Sequence, residues 1–313
     1  VVLMFICWLY YTCYQWIPFT AVILTFVIDV FFSQLPHLFL VNTILCFGAI
    51  VYSVLNMTLS MLAGNKAVSA YCWLSAYWTV QVIQGIMDGT TAGSFGTCCL
   101  ASNKITESRA EAIRVSPYRF LKKCCSVSFG SVCLGSLLVA IVKFVRSMVN
   151  RIVGDKGLFA LIVNTLFSIV DYMFRRFNYY AMIHVALYGK PYFQSAQGVI
   201  SLFERHSVKV VTSDSVLAVY CTIASLAVSH LIFLVNEHVL QNSFEFSVLS
   251  PTMTFLQCLF LSNLMFRILS TGTSTTLVCL LENYFIVKRN CQSMTSNVED
   301  AYSRIFGVSS GFV

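Results

Sequence analysis

The chain has 313 residues, of which 58% are hydrophobic and only 11% are charged, and its mean hydropathy is +0.77. A soluble domain carries about 25% charged residues, so this composition excludes an ordinary soluble protein. It predicts an all-α, polytopic transmembrane helix bundle with interfacial amphipathic helices. The net charge is +7, but no basic soluble module is evident, so we expect no nucleic-acid partner.

The chain begins with Val1 inside an apolar run, so we interpret residues 1–313 as a single membrane domain from which upstream spans are missing. Residues 1–11 would be the tail of a span. A separate short helix is predicted between Pro18 and Pro36, because proline favours a helix start and disfavours its continuation. It is short for a span, so we favour an interfacial position over a crossing. A polar stripe runs along it: Thr25, Asp29 and Ser33.

The next two segments predict a helical hairpin in the membrane. His37–Gly64 is a clear span, and Val68–Ala101 contains 34 residues with a single charge, Asp88. At about 1.5 Å per residue, the second helix is long enough to cross a core of about 30 Å and protrude. Its first half is rich in aromatic residues and its second half in glycines at four-residue spacing: Tyr71, Trp73, Tyr77 and Trp78, then Gly85, Gly89 and Gly93.

Basic residues are concentrated in the middle of the chain. Fifteen of the 20 Lys and Arg residues lie between Lys104 and Lys209, and such a bias most often marks the cytoplasmic side. We therefore expect residues 102–126 and 171–214 to be cytoplasmic basic segments and residues 288–313 to be a polar cytoplasmic tail. Attraction to anionic headgroups explains the excess, so membrane lipids are expected partners.

The apolar run between the basic segments is short for a span. Val127–Val142 crosses the bilayer only if Lys143 and Arg146 extend their charged ends to the surface, so we favour a crossing only slightly. Gly157–Phe174 is a further apolar run that would return the chain to the basic side.

Residues 171–209 predict two amphipathic helices separated by Gly189-Lys190-Pro191. The second contains Val199–Lys209, where a group of apolar residues is set against Glu204, Arg205 and Lys209, which is typical of a helix on the cytosolic surface.

The C-terminal third predicts two more spans. Val216–Val235 has ordinary length, and the chain is apolar again from Phe246 to Phe285. A helix starting at Phe246 would cross the core by about Phe266, which leaves Arg267 at the interface. The hydroxyl-rich run at residues 270–276 would then lie outside lipid or against protein.

Cysteine and histidine indicate neither a disulfide framework nor a metal centre. The 13 cysteines are odd in number and mostly lie in apolar runs, where a thiol packs as a small hydrophobe. The pairs Cys98/Cys99 and Cys124/Cys125 near span ends are open to S-acylation or to plain packing. The histidines have no metal spacing, and no nucleophile is accompanied by a base. We therefore expect no cofactor, no metal and no enzyme activity.

Several segments together resemble the choline transporter-like family, a eukaryotic group of ten-span carriers. Trp78, Val82, Ile83, Ala92 and Gly93 fit its Trp-x3-Val-Ile-x-Asn-x6-Ala-Gly helix, with Gly85 where asparagine is usual. Further similarities are Ile17-Pro18-Phe19, Ser128-Phe129-Gly130-Ser131 with Gly135-Ser136-Leu137, Phe177-Asn178, Tyr180-Ala181, Ala186-Leu187-Tyr188-Gly189-Lys190 and Ser195-Ala196. The resemblance implies cytoplasmic termini and a small organic cation, choline or ethanolamine-like, as substrate.

A quaternary ammonium ion has no hydrogen to donate, so aromatic ring faces must recognise it. Trp73, Tyr77 and Trp78 are candidates for this role, and Gln81 and Gln84 continue along the same helix as candidate polar contacts. The alternative for the aromatic residues is a belt at the membrane surface. The alternative for the glutamines is a hydrogen bond to a neighbouring helix.

Asp88 is the sole acid deep in this helix, which makes it a candidate counter-ion or proton-coupling carboxylate. An ion pair with the basic loop or a solvated position are the alternatives. The glycines are interpreted as helix-packing positions, with a hinge as the alternative for those of this helix and a pore-facing broken helix as the alternative around Ser128–Ser136. These packing candidates are Gly85, Gly89, Gly93, Gly130 and Gly135.

The expected function is transport of choline or a related organic cation by alternating access. A non-transporting membrane scaffold or lipid-interacting protein is the alternative, and a channel is the weaker third choice. We expect residence in the plasma membrane, with an organelle membrane as the alternative.

Overall fold

The computed structural model describes residues 17–62, 64–100, 116–153, 158–241 and 249–306, and these form helices and short connections without a strand. The all-α prediction is therefore confirmed. The helices are α1 (Ile17–Gln34), α2 (Pro36–Leu62), α3 (Lys66–Leu100), α4 (Pro117–Cys125), α5 (Phe129–Val153), α6 (Leu158–Tyr188), α7 (Tyr192–Gln241), α8 (Leu249–Glu282), α9 (Tyr284–Asn290) and α10 (Gln292–Phe306). The predicted span tail at 1–11, most of the basic segment at 102–126 and the chain end after 306 lie outside the described residues.

Four described helices are long and apolar enough to cross a membrane, which agrees with a polytopic protein. Their apolar stretches are Pro36–Leu62, Phe129–Arg146, Leu217–Val235 and Cys258–Glu282. The apolar stretch Phe129–Arg146 therefore extends beyond Val142, where the predicted run ended, and includes Lys143 and Arg146. Helices α3 and α6 do not meet the same criterion, so their crossing stays a prediction.

The described residues cluster into two compact units. The first contains the described residues within 1–39, 95–115 and 205–313, and the second those within 40–94 and 116–204. Each has its own buried apolar side chains. The assignment of residues 171–214 and 288–313 to the cytoplasm stays a prediction.

In the first unit, α1 packs against α8 and α10 through one face. Phe19, Ile23 and Val27, each four residues apart, are fully buried on that face. The polar stripe of Thr25, Asp29 and Ser33 lies on the exposed face. Since the apolar face is covered by protein, α1 is a packed helix of this unit; its depth in the membrane stays a prediction.

The hydroxyl-rich run of α8 lies against protein, one of the two expected positions. Thr273, Thr275 and Thr276 are almost fully buried, and each hydroxyl donates to a backbone carbonyl four residues earlier. These bonds satisfy hydroxyls that burial would otherwise penalise. Arg267 lies inside the apolar stretch Cys258–Glu282, and its position at the interface stays a prediction.

Of residues 288–313, predicted to be a polar tail, the described part up to Phe306 belongs to two packed helices, α9 and α10. Val287, Met294 and Val298 are buried, and α10 packs on α1. At the exposed side, Lys288 binds Glu299 at 2.7 Å, and the Tyr284 hydroxyl donates to the same carboxylate. The sequence pattern concealed this packing because buried residues are only every third or fourth position among polar ones.

In the second unit, α5 packs along α6. Helix α6 is continuous from Leu158 to Tyr188, so the separate amphipathic helix expected to begin at Asp171 is the second half of one long helix. The predicted break is present: Gly189 has φ 67°, a conformation that favours glycine, and Pro191 follows.

Helix α7 corrects the prediction of a separate surface helix at Val199–Lys209. It runs for 50 residues from Tyr192 and contains both that segment and the apolar stretch Leu217–Val235. Val199 and Leu202 are buried rather than turned to a membrane surface. Without glycine or proline between these segments, nothing in the backbone requires the helix to end.

Candidate functional site

A cleft of about 200 Å³ lies between α2 and α3 in the second unit. Its α3 side presents Trp73 and Tyr77, four residues apart and therefore on one helix face. The complete lining is Ser53, Asn56, Met57, Cys72, Trp73, Ala76, Tyr77 and Val80. The α2 residues were not predicted; the signal that could have found them is the spacing of Ser53, Asn56 and Met57 along one face of an apolar helix.

Two polar side chains that α2 contributes to the cleft are hydrogen-bonded within their own helix. The Ser53 hydroxyl donates to the Ala49 carbonyl at 2.8 Å, and the Asn56 amide donates to the Tyr52 carbonyl at 3.0 Å. The lining left for a ligand is mainly apolar, with two aromatic rings. Such a lining can hold a desolvated cation against ring faces but offers few hydrogen-bonding groups.

The structure brings together only part of the predicted binding set. Trp73 is 54% exposed and Tyr77 is half-buried, and both line the cleft. Trp78, Gln81 and Gln84 lie on the same helix but do not line it. Their roles in binding stay predictions without support from the cleft.

Asp88 lies three helical turns beyond Tyr77 and outside the cleft. It is buried, with 8% of its surface exposed, and is engaged with neighbouring groups. The burial argues against the solvated position. It leaves the counter-ion, coupling and ion-pair interpretations open.

Glycines of α3 lie where other helices approach closely. A Cβ atom at Gly85 would come within 2.9 Å of Val132 Cγ1, and one at Gly89 within 2.9 Å of Cys124 Sγ. At Gly93 it would overlap the Phe120 ring. Helices α4 and α5 therefore pack directly on the α3 backbone, as small residues permit. Cys124 is buried here, which fits packing rather than S-acylation.

Helix α5 contains the other two glycines predicted to be packing positions, Gly130 and Gly135, and their surroundings differ. A Cβ at Gly135 would lie 2.8 Å from Asn178 Oδ1, so α6 approaches closely there. Among the described residues, none comes within 4 Å of a Cβ placed at Gly130, so its role in packing stays a prediction.

A basic cluster adjoins Tyr77 on the side of α5 and α6. The Lys143 ammonium lies 4.4 Å from the Tyr77 ring centroid. Asp171 binds Arg146 and Arg175, each at 2.9 Å, and Arg146 also donates to the Ser168 hydroxyl at 2.7 Å. With one carboxylate among three cations, the cluster carries a net positive charge.

Asp171 is the anion that holds this cluster together. Burial by itself would raise the pKa of Asp171, but the hydrogen bonds and charges of Arg175 and Arg146 outweigh burial. The pKa of this carboxyl is therefore below its ordinary value, and it stays ionised at neutral pH.

Comparison with known proteins agrees with this membrane architecture. The sequence model of a family described as plasma-membrane choline transporters matches residues 1–284. Protein PNS1 of Debaryomyces hansenii is 26% identical over 90% of this chain and 61% of its own length. A CTL-like protein of Dictyostelium discoideum is 24% identical over 73% of this chain and 42% of its own length.

Protein PNS1 of Kluyveromyces lactis is 26% identical over 65% of this chain and 42% of its own length. The chain thus spans about half the length of the curated relatives it matches. Because the family match covers most of the chain, residues 1–284 of 313, the assignment does not depend on one short motif. The chain belongs to the plasma-membrane choline transporter family, a family of membrane transporters.

Proposed function

We propose that this protein carries choline or a related organic cation, such as ethanolamine, across the plasma membrane by alternating access. The membrane-transporter assignment comes from the family. The observation that supports a cationic substrate is the cleft between α2 and α3, where Trp73 and Tyr77 present aromatic rings in a mainly apolar lining.

The proposed recognition depends on the rings rather than on hydrogen bonds. A quaternary ammonium attracts the negative face of an aromatic ring, and each contact contributes about 0.5–2 kcal/mol. Trp73 and Tyr77 are separated by one helical turn, so one small cation can contact both. Met57 and Cys72 add polarisable sulfur atoms to the same lining.

The test is choline uptake into proteoliposomes that contain the full-length protein. Trp73→Ala removes one ring and should raise the half-saturating choline concentration about 3- to 10-fold, corresponding to one lost contact. Tyr71→Ala is the matched control, because Tyr71 is an aromatic residue of the same helix that is 71% exposed and does not line the cleft. Equal effects of the two substitutions would refute a binding role for the cleft.

Asp88 is proposed to couple transport to a proton or another ion rather than to touch the substrate, because it is buried and lies outside the cleft. In the same assay, Asp88→Asn should lower the maximal rate with little change in half-saturation. A raised half-saturating concentration with an unchanged maximal rate would contradict this role.

The second candidate function is a membrane scaffold or lipid-interacting protein. It is favoured by the many apolar side chains exposed on α2, such as Ile44, Phe47 and Leu55. Such residues also occur on any lipid-facing helix of a transporter. Uptake equal to that of protein-free liposomes would favour the scaffold.

A further inference from the structure

Lys143 makes a cation–π contact with Tyr77, one of the two aromatic residues proposed to bind the substrate. Its ammonium nitrogen lies 4.4 Å from the centroid of the Tyr77 ring, well within the range of a cation–π contact. Tyr77 also lines the cleft between α2 and α3. A protein cation and the proposed substrate cation therefore share one ring.

The carboxylate of the basic cluster is already paired with other cations. The nearby carboxylate of Asp171 is already bound to Arg146 and Arg175, each at 2.9 Å. Arg146 is three residues from Lys143 along α5 and repels it. Within the described part of the chain, no carboxylate forms an ion pair with Lys143, whereas its ammonium makes a cation–π contact with the Tyr77 ring.

A substrate cation that binds at Tyr77 competes with the Lys143 ammonium or is repelled by it. On the same ring face, the ammonium of Lys143 excludes the substrate by volume. On the opposite face, the two positive charges repel each other across one ring in surroundings that screen charge less than water. In both cases the presence of Lys143 lowers the affinity of the cleft for a cation.

We propose that Lys143 is an internal competitor of the substrate cation for Tyr77 and thereby sets the affinity of the cleft. This inference rests on the proposed function for its transport readout. Binding of substrate is then tighter when the Lys143 ammonium leaves the ring, which links occupancy of the cleft on α3 to the position of a side chain on α5.

The primary test compares choline uptake by the wild-type protein and Lys143→Met in proteoliposomes. Methionine keeps an unbranched apolar chain but removes the charge, so the half-saturating choline concentration should fall about 3- to 10-fold. Lys143→Arg retains a cation and should stay within about 2-fold of the wild type. Lys190→Met is the matched control, since Lys190 lies 5.7 Å from the Tyr188 ring and outside the cleft.

A double-mutant cycle separates competition at the ring from a general effect of surface charge. In a Tyr77→Leu background, Lys143→Met should change half-saturation by less than about 2-fold, because the shared ring is gone. An unchanged or raised half-saturation in Lys143→Met, or a full effect that persists without Tyr77, would overturn the inference. Lys143→Gln provides a second neutral variant where Lys143→Met is poorly folded.

Direct binding of tetramethylammonium to the purified protein keeps this inference separate from the proposed function. Calorimetry should show 3- to 10-fold tighter binding to Lys143→Met than to the wild type, whether or not either protein transports choline. Tighter binding without uptake would contradict only the proposed function. Saturable uptake with equal tetramethylammonium affinities would contradict only the role of Lys143.

Discussion

Asp171 pairs with two of the three cations beside the cleft, so its removal should lower the stability of the fold. Asp171→Asn leaves Arg146 and Arg175 without their common partner. Both arginines are about one-third exposed, so water screens part of the loss and we expect a cost of about 1–2 kcal/mol. The measurement is the apparent melting temperature in detergent at pH 7, with Arg176→Gln, which is outside this cluster, as control.

The same residue gives a pH dependence with a defined sign. The folded-state pKa of Asp171 is below its ordinary value of 3.8, so the ion pairs add stability above about pH 4 and lose it as the pH falls through the lower folded-state value. The melting temperatures of wild type and Asp171→Asn should therefore converge below pH 4. A constant difference from pH 7 to pH 3 would show that the carboxylate charge is not the cause.

At the scale of single residues, the sequence indicates which side chains share a helix face, but it does not indicate which residues of other helices they contact. The aromatic pair Trp73 and Tyr77 could be found because their four-residue spacing defines a helix face. The interaction of Tyr77 with Lys143 could not, since it joins residues far apart in the chain. The partner of Asp171 at Arg175 is visible as an i, i+4 pair, but its partner at Arg146 depends on how α5 packs against α6.

At the scale of elements, alanine substitutions at two helical glycines should have different effects on stability, because another helix approaches one of these glycines closely and not the other. Gly93→Ala would place a methyl group in the Phe120 ring of α4, and we expect a loss of about 1–3 kcal/mol. Gly130→Ala meets nothing within 4 Å and should be neutral or gain up to about 1 kcal/mol from helix propensity. Thermal unfolding of both variants in detergent tests this difference; equal losses would contradict direct packing of α4 on α3.

Helix ends can be predicted from sequence where glycine and proline mark them, and they are mispredicted where such residues are lacking. The break at Gly189-Lys190-Pro191 was correct because it contains both a residue suited to positive φ and a residue that cannot continue a helix. Asp171 in α6 has no such signal, and a change from apolar to charged residues was mistaken for a new element. In α10, burial of Met294 and Val298 depends on α1, which lies far away in sequence.

At the scale of the whole molecule, composition alone determined the class, because so few charged residues exclude a soluble fold. The family match and the four apolar helices agree with that conclusion. Substrate and mechanism depend on a cleft built from two helices, and spacing within one helix reveals only half of its lining.

Counterflow of radiolabelled choline in proteoliposomes tests the proposed carrier most directly. Vesicles containing the protein are loaded with millimolar unlabelled choline and diluted into a trace of labelled choline. A carrier that alternates between two sides should accumulate label transiently above the equilibrium level, and excess external choline should abolish this overshoot. Label that only equilibrates would indicate a channel, and label that enters no faster than into protein-free vesicles would contradict choline transport by this protein.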